Sequence, residues 1–241
     1  MTSLPWIDPD QLWFPPAEEA LDEPDGLLAL GGDLSTDRLI LAYRNGIFPW
    51  FSDDQPILWW SPDPRCVLFP DEIHVSRSLR RTLNRGHFSI TADRDFNNVI
   101  RLCAETRKKE GTWITEDMIH SYTRLHQLGI AHSIEAWNPS GKLVGGMYGL
   151  ALGQCFFGES MFSLETNASK VLMVHLANQL SEWGYRIMDC QVENDHLLKM
   201  GARCIPRHEF LTILRASVDH SAKQRSWQIQ WQWPGPGGVN E

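Results

Sequence analysis

The chain has 241 residues, of which 42% are hydrophobic and 22% are charged, and its formal net charge is −8. This balance is typical of a globular protein with a hydrophobic core. The negative charge argues against a broad nucleic-acid-binding face, which needs positive charge, although it permits a local basic patch.

No segment of the sequence predicts a membrane span, a leader or a metal centre. No apolar run approaches the roughly 18 residues that a spanning helix requires, and the N-terminus lacks a basic and then apolar leader. The five cysteines are scattered and form no CxxC pair, which favours reduced thiols over disulfides or a zinc site. We therefore expect a cytoplasmic protein that holds no metal ion.

Residues 1–61 are rich in proline, tryptophan and glycine, and we predict that they form a small α+β domain. Two segments, 46–51 (GIFPWF) inside this domain and 59–65 (WWSPDPR) across its end, place large rings on a stiff backbone. Because proline fixes φ and lacks a backbone N–H, we predict that neither segment forms a central strand or a helix interior. Their rings either grip a nucleobase or an apolar side chain, or fill the gap between two domains.

Residues 62–218 show the regular alternation of a second, larger α+β domain. We predict strands at 66–69, 87–91, 132–138, 142–152, 155–162 and 185–192. We predict helices at 35–45 in the first domain and at 95–105, 115–128, 167–183, 195–200 and 207–218 in the second. Their order indicates a sheet that is antiparallel at first and gains a parallel pair across the long helix. The tail, 219–241, is rich in Trp, Pro and Gly and is expected to pack on the surface.

A local basic patch is predicted after Ser76. If that segment is helical, four arginines share one face, while Leu79 and Leu83 point the opposite way, to the core. These four, the arginine stripe, are Arg77, Arg80, Arg81 and Arg85. The stripe either is a solvated helix face or contacts the phosphates of an acidic polymer.

Asp189 and Gln191 lie two residues apart on a predicted strand, so their side chains project from one face near the carboxyl end, where open sheets place their sites. A carboxylate in mid-strand needs a partner. Cys190 points to the other face, and a buried inert thiol is favoured there over a nucleophile. Asn194 follows the strand and either caps the next helix or joins the site.

Glu159 stands in an otherwise apolar strand, which is costly unless the carboxylate meets a partner or has a role. Gly158 beside it indicates close approach by a ligand or another backbone, and the pair Gly145-Gly146 in the neighbouring strand indicates the same. A bulge would explain these glycines but not the carboxylate.

A family resemblance becomes specific in nine motifs, which are GLLALGGDLS, YRNGIFPWF, ILWWSPDPR, GTWIT, HSIE, LVGGMYG, FFGESMFS, NASK and DCQVENDH. Over residues 27–207 they resemble the leucyl/phenylalanyl-tRNA–protein transferase family. The resemblance implies a small N-terminal domain followed by a domain similar to the acyl-CoA N-acetyltransferases. The glycine-rich turn that binds pyrophosphate in acetyltransferases is absent from this chain. The segment 163–167 stands in its place and carries Glu165, an acidic residue, where anionic phosphates would lie.

The resemblance also implies a reaction. Leucine, phenylalanine or, less well, methionine passes from aminoacyl-tRNA to the N-terminal α-amine of proteins that begin with Arg or Lys, which marks those proteins for degradation. No cofactor or metal is implied, because the aminoacyl ester is already activated. The partners would be the 3′ aminoacyl-adenosine end and phosphate backbone of aminoacyl-tRNA, and the acceptor proteins. A silent binding module and an ordinary N-acetyltransferase are the alternatives.

Four residues are expected to act in catalysis. The Gln191 carbonyl would accept a hydrogen bond from the attacking amine, and Asp189 would polarise and fix that amide. Glu159 and Asn194 would hold the amine or the terminal adenosine. The expected tRNA contacts are those of the arginine stripe.

The donor amino acid is expected to enter an apolar pocket. Its predicted walls are Met147, Phe156, Met161, Leu176 and Leu180, with Gly158 on the glycine-rich floor. Trp50 and Trp113 would stack on the adenine or wall the pocket.

Overall fold

The computed structural model describes residues 4–107, 113–223 and 226–235, and this part of the chain forms two sheets. The first sheet holds four strands: β1 (Trp6–Ile7), β2 (Leu27–Gly31), β3 (Phe48–Pro49) and β4 (Leu58–Trp60). Their order across the sheet is β1-β2-β4-β3. The predicted first helix is present as α1 (Thr36–Arg44), with Ser35 as its N-cap.

The prediction that neither proline-containing segment forms a central strand is correct for 46–51 and wrong for 59–65. Strand β3 is an edge strand, where the missing N–H of Pro49 is tolerated. Strand β4 lies between β2 and β3, and Trp59 within it is fully buried. The reason is position: Pro62 and Pro64 follow the strand, so they leave its hydrogen-bond ladders intact.

The second sheet holds seven strands. They are β5 (Arg65–Leu68), β6 (Ser89–Ala92), β7 (Ala131–Trp137), β8 (Leu143–Leu152), β9 (Cys155–Ser163), β10 (Ile187–Gln191) and β11 (Arg203–Ile205). Six helices accompany them: α2 (Arg77–Asn84), α3 (Phe96–Arg107), α4 (Glu116–Gln127), α5 (Ala168–Trp183), α6 (Asp195–Lys199) and α7 (Arg207–Arg215). The strand order is β11-β5-β10-β9-β8-β7-β6.

Every strand and helix predicted in 62–218 is present, with ends shifted by a few residues, and the α+β fold class is confirmed. The predicted parallel pair is confirmed as well: β10 runs parallel to β9 across α5, and the other neighbours in this sheet are antiparallel. Strand β11 was not predicted, because three residues carry too little periodicity. No helix in the described part of the chain is long and apolar enough to cross a bilayer.

Two hydrophobic clusters cover the two faces of the large sheet. One contains residues of the first sheet together with α3, α4 and α7, and the other surrounds α5 and α2. Neighbouring residues of one strand divide between them: Phe157 belongs to the first cluster and Phe156 to the second. This alternation follows from the two-residue period of a strand.

The glycine pair of β8 is explained by packing. A Cβ on Gly145 would lie 2.8 Å from the Cβ of Ala168 at the start of α5, and one on Gly146 would lie 2.5 Å from the Phe162 ring. The groups that approach these two glycines closely are therefore helix α5 and an aromatic ring.

The described part of the tail, 226–235, packs against the α5 side as predicted. Trp227 stacks on His132 with ring centroids 3.9 Å apart. The Gln179 side-chain oxygen accepts the backbone N–H groups of Gln230 and Trp231 at 2.6 and 2.7 Å. The tail therefore covers the second hydrophobic cluster.

Candidate active site

A cavity of about 480 Å³ opens where β9 and β10 stop pairing. The parallel ladder runs from Ile187 opposite Cys155 to Asp189 opposite Phe157. Residues beyond that point on both strands line the cavity, and β3 of the first sheet closes one side. The site therefore lies in a gap between two strands of one sheet.

Two β-bulges flank this gap. The ladder between β8 and β9 shifts register at Glu159, which has no partner across β8. The ladder between β5 and β10 shifts at Cys190, and Gln191 after it has a φ of 63°, in the left-handed region that residues other than glycine rarely adopt. Bulges re-aim side chains and are common beside active sites. Here they turn Glu159 and Gln191 towards each other.

Glu159 is the centre of a buried hydrogen-bond network. Its Oε1 accepts the Tyr43 hydroxyl at 2.6 Å and the Gln191 side-chain Nε2 at 2.7 Å. The Tyr122 hydroxyl lies 3.1 Å from Oε2. Tyr43 belongs to α1 and Tyr122 to α4, so the network joins the first sheet's helix to the second sheet.

Burial raises the pKa of Glu159 to about 7, although the hydrogen bonds from Tyr43, Tyr122 and Gln191 oppose this rise. The Tyr43 hydroxyl donates to Oε1 and the Tyr122 hydroxyl donates to Oε2, and the two hydroxyls also contact each other.

Asp189 is fully buried in an ion pair with Arg65. The Arg65 Nε and Nη2 lie 2.8 and 2.7 Å from the two carboxylate oxygens. The guanidinium lies between the rings of Phe48 and Phe210, 4.7 Å from each centroid. Oδ1 of Asp189 also accepts the backbone N–H of Gln191 at 2.9 Å. Asp189 therefore fixes the backbone that carries Gln191.

The expected contact between Asp189 and the Gln191 amide is wrong. Glu159 holds the amide nitrogen, whereas Asp189 contacts the backbone, because the bulge turns the Gln191 side chain towards β9. Arg65 was missed, although a mid-strand carboxylate signalled that some cation was needed. Tyr43 and Tyr122 were missed because each sits among the apolar residues of an amphipathic helix.

The predicted pocket residues divide into two groups. Five line the cavity as expected: Trp50, Trp113, Met147, Gly158 and Met161. Three do not line it, because they are fully buried in the second hydrophobic cluster: Phe156, Leu176 and Leu180. For the two leucines, the helical stripe that suggested a pocket wall is the face by which α5 packs on the sheet. Met173 and Met188, which were not predicted, complete the apolar wall with Phe162.

Asn194 and Trp50 lie at the rim of the cavity. The Asn194 side chain accepts the Leu197 N–H at 2.9 Å and so caps α6, and the residue also lines the cavity. Trp50 is 44% exposed, with its ring 5.8 Å from that of Trp60. An exposed ring at the rim can stack on a flat ligand.

The arginine stripe lies on a helix, as predicted, and all four arginines are exposed. Leu79 and Leu83 are buried beneath them. The stripe does not line the cavity, but α2 packs on α5, whose first turn contributes Ser169 to the cavity wall.

The thiol at the second bulge shows no sign of activation. A hydrogen bond with Cys66, together with burial, raises the pKa of Cys190 well above its usual value. Within the described residues, no three His, Cys, Asp or Glu side chains are arranged to hold a metal ion.

We expect Asp189→Ala to lower the free energy of unfolding by about 3–5 kcal/mol, because it leaves the buried Arg65 charge without its partner. The measurement is urea denaturation. Glu18→Ala is the matched control, since it breaks a surface pair with Arg215 (2.7 Å) and should cost less than about 1 kcal/mol. Equal effects of the two substitutions would contradict the structural role given to Asp189.

The raised pKa of Glu159 predicts a pH-dependent stability. Because the folded-state pKa (about 7) exceeds the ordinary value of 4.5, the contribution is fully present below 4.5 and is lost as the pH rises to about 7. Glu159→Gln keeps the size of the side chain and does not titrate. Relative to this variant, the wild type should lose about 2–3 kcal/mol of stability between pH 5 and pH 8. Parallel pH profiles in urea denaturation would contradict the assignment.

Comparisons with known proteins identify the family of this chain. The family model described as leucyl/phenylalanyl-tRNA protein transferase matches residues 67–215, and the model of its N-terminal domain matches 32–63. A relative from Hahella chejuensis is 57% identical over 219 residues, which are 90% of this chain and 93% of the relative. One from Nitrosospira multiformis is 54% identical over 225 residues, which are 93% of this chain and 96% of the relative. Both are named leucyl/phenylalanyl-tRNA–protein transferase.

Solved structures give only weak likenesses. L-PGS from Bacillus licheniformis has a TM-score of 0.41 at 12% identity, covering 67% of this chain and 52% of that one. A putative acetyl transferase from Pyrococcus furiosus has a TM-score of 0.31 at 11% identity, covering 46% of this chain and 87% of that one. These scores carry no argument about function. The family models and the two relatives show the family: the chain belongs to the leucyl/phenylalanyl-tRNA–protein transferase family and is an aminoacyl-tRNA–protein transferase.

Proposed function

We propose that the protein moves leucine or phenylalanine, and less well methionine, from aminoacyl-tRNA to the N-terminal α-amine of proteins that begin with Arg or Lys. The peptide bond forms by direct attack of the amine on the aminoacyl ester, and the new N-terminus marks the acceptor for proteolysis. One observation carries the proposal: an apolar cavity and the Glu159–Gln191 pair share one gap between β9 and β10.

The apolar wall suits an amino acid side chain without branching at Cβ. Four of its residues are methionines: Met147, Met161, Met173 and Met188. Thioether side chains are unbranched and adapt to ligands of different shape, which suits both leucine and phenylalanine. A β-branched donor would misplace a methyl group, at a cost of about 1–3 kcal/mol.

Gln191 is placed to orient the attacking amine. Its Nε2 is held by Glu159, and no donor in the described part of the chain reaches its side-chain oxygen. That oxygen accepts a hydrogen bond from the amine and aims the nitrogen lone pair at the ester carbonyl. A strong base is unnecessary, because an α-ammonium with a pKa of about 7.7–8.0 loses its proton near neutral pH for about 1 kcal/mol.

The remaining site residues complete the site around the apolar wall and Gln191. Asp189 acts as a positioning residue through the Gln191 backbone, and the buried acid Glu159 fixes the amide. Asn194 and Trp50 hold the terminal adenosine at the rim. The chain continues from Gln191 into two exposed carboxylates, Glu193 and Asp195, which favour a cationic acceptor side chain.

The direct test mixes the protein with leucyl-tRNA and a peptide that begins with Arg, without coenzyme A. Mass spectrometry should detect the peptide extended by one leucine, and a Lys-initiated peptide should react similarly. The same peptide with N-terminal Ala is the matched control and should react at least tenfold more slowly. Equal reaction of the Ala peptide would contradict the acceptor specificity, and absence of any extended product would contradict the function.

The arginine stripe is proposed to contact tRNA phosphates. Replacing Arg77, Arg80, Arg81 and Arg85 together with Gln should weaken tRNA binding. It should also flatten the dependence of log K on log salt by at most about one unit for each lost contact. Filter binding across a salt series measures both effects. Transfer from a leucylated adenosine should be unchanged, because that donor carries no RNA backbone.

A matched variant controls for the loss of charge. It replaces four exposed basic residues outside α2 with Gln, namely Arg101, Arg124, Lys142 and Arg186. Its salt slope should equal that of the wild type. If both variants flatten the slope equally, the stripe is a solvated helix face and general charge accounts for binding.

A further inference from the structure

Four buried polar atoms lie at or beside the cavity without a hydrogen-bond partner within the described residues. One is His196 Nε2 of α6, and the other three belong to α3, β8 and β9: Arg107 Nε, Ser160 Oγ and the Tyr148 hydroxyl. Arg107 and Ser160 line the cavity, and Tyr148 lies directly opposite Ser160 in the ladder between β8 and β9. Buried polar groups are nearly always paired, so a cluster of exceptions on one wall calls for an explanation.

The two hydroxyls are deeply buried, Ser160 to 95% and Tyr148 completely, and the cation Arg107 lines the same cavity as Ser160. Burial raises the pKa of Tyr148 well above its usual value, and the charge of Arg107 is near enough to oppose that rise. The Cys103 thiol approaches Ser160, but sulfur is a weak hydrogen-bond partner.

Arg107 is the last residue of α3 and is half-buried. It makes no ion pair with any residue in 4–107, 113–223 or 226–235. The two basic residues that follow it, Lys108 and Lys109, lie outside the described part of the chain. A guanidinium with a buried, unused Nε beside a free hydroxyl is a donor set for an anion that offers several oxygens.

We propose that Arg107 and Ser160 bind the phosphodiester that joins the terminal nucleoside of the donor RNA to the nucleotide before it. This inference rests on the proposed function, and its ligand is chosen by charge. The acceptor is cationic and the reacting ester is neutral, so neither supplies the anion that the unpaired guanidinium of Arg107 would bind. The phosphodiester is the anion that every 3′ aminoacyl-nucleoside end of an RNA carries.

The site would divide recognition of the donor between two surfaces. The arginine stripe lies outside the cavity and would contact the RNA body, whereas Arg107 and Ser160 both line the cavity. A phosphate bound there would fix the distance between the RNA chain and the ester. Arg107 is then a positioning residue for the terminal nucleoside and does not contact the reacting atoms.

The test compares two small donors, leucylated adenosine, which lacks this phosphodiester, and leucylated cytidylyl-adenosine, which has it together with one cytidine. The substitutions in the protein separate the contribution of the phosphodiester from that of the cytidine. Arg107→Met should lower kcat/KM for the dinucleotide about tenfold to a hundredfold, as expected when a charged hydrogen bond is lost, and change the nucleoside less than about twofold. Ser160→Ala should lower kcat/KM for the dinucleotide donor by about threefold to tenfold and leave kcat/KM for the nucleoside donor unchanged. It should not lower the melting temperature.

Arg101→Met is the matched control, since Arg101 lies on the same helix, is exposed and pairs at 3.6 Å with Glu116. It should leave both donors unchanged. An equal loss of kcat/KM with both donors in Arg107→Met would mean that Arg107 acts on the reacting ester. No loss of kcat/KM with either donor would mean that Arg107 binds no part of the donor. Either result overturns the inference.

A binding measurement separates this inference from the transfer reaction itself. Unacylated cytidylyl-adenosine should quench the tryptophan fluorescence of the wild type with at least tenfold tighter binding than adenosine. In Arg107→Met the two affinities should agree within about twofold. Failure of leucine transfer with this binding difference intact would count against the proposed function alone, while equal binding in the wild type would count against the phosphodiester site.

Discussion

The buried Arg65–Asp189 pair is the constraint on which the site depends. Removing two charges from water is costly, and their attraction offsets that cost only when the geometry is good and the remaining hydrogen-bonding groups are used. Here the pair is bidentate, its guanidinium packs between two aromatic rings, and one carboxylate oxygen also accepts the Gln191 N–H. Only the buried Arg65 Nη1 of this pair has no hydrogen-bond partner among the described residues. The pair therefore holds β5, β10, β3 and α7 in one arrangement and sets the bulge beside the cavity.

The Glu159 network makes the first sheet's helix part of the active site. Tyr43 reaches Glu159 from α1, and Tyr122 reaches it from α4, so the acid is held from both sides of the boundary predicted near residue 61. A displacement of α1 would remove a donor from Glu159 and loosen the Gln191 amide that Glu159 fixes. The small N-terminal unit thus contributes a hydrogen bond to Glu159 as well as part of the cavity wall.

Local signals in the sequence predicted the helices and strands well. Ser76 and Thr115 accept the capping hydrogen bonds of α2 and α4, and Gly184 ends α5 in a left-handed conformation. The pairing of distant strands left no such signal. Arg65 and Asp189 are 124 residues apart, and the two bulges depend on register, which two-residue periodicity alone does not fix. The leucines of α5 were assigned to the pocket because core and pocket walls share one apolar pattern.

The four methionines of the cavity wall have a chemical consequence of their own. A thioether is the apolar side chain most readily oxidised, and the sulfoxide is polar and chiral. Oxidation of Met147 or Met188 would place a polar oxygen in this apolar wall. Under the proposed function, that oxygen would lie where the donor's hydrocarbon side chain packs, so a wall suited to both leucine and phenylalanine would also be vulnerable to peroxide. Methionine sulfoxide reductases would restore the apolar wall, which ties the enzyme's output to the cell's capacity for sulfur repair.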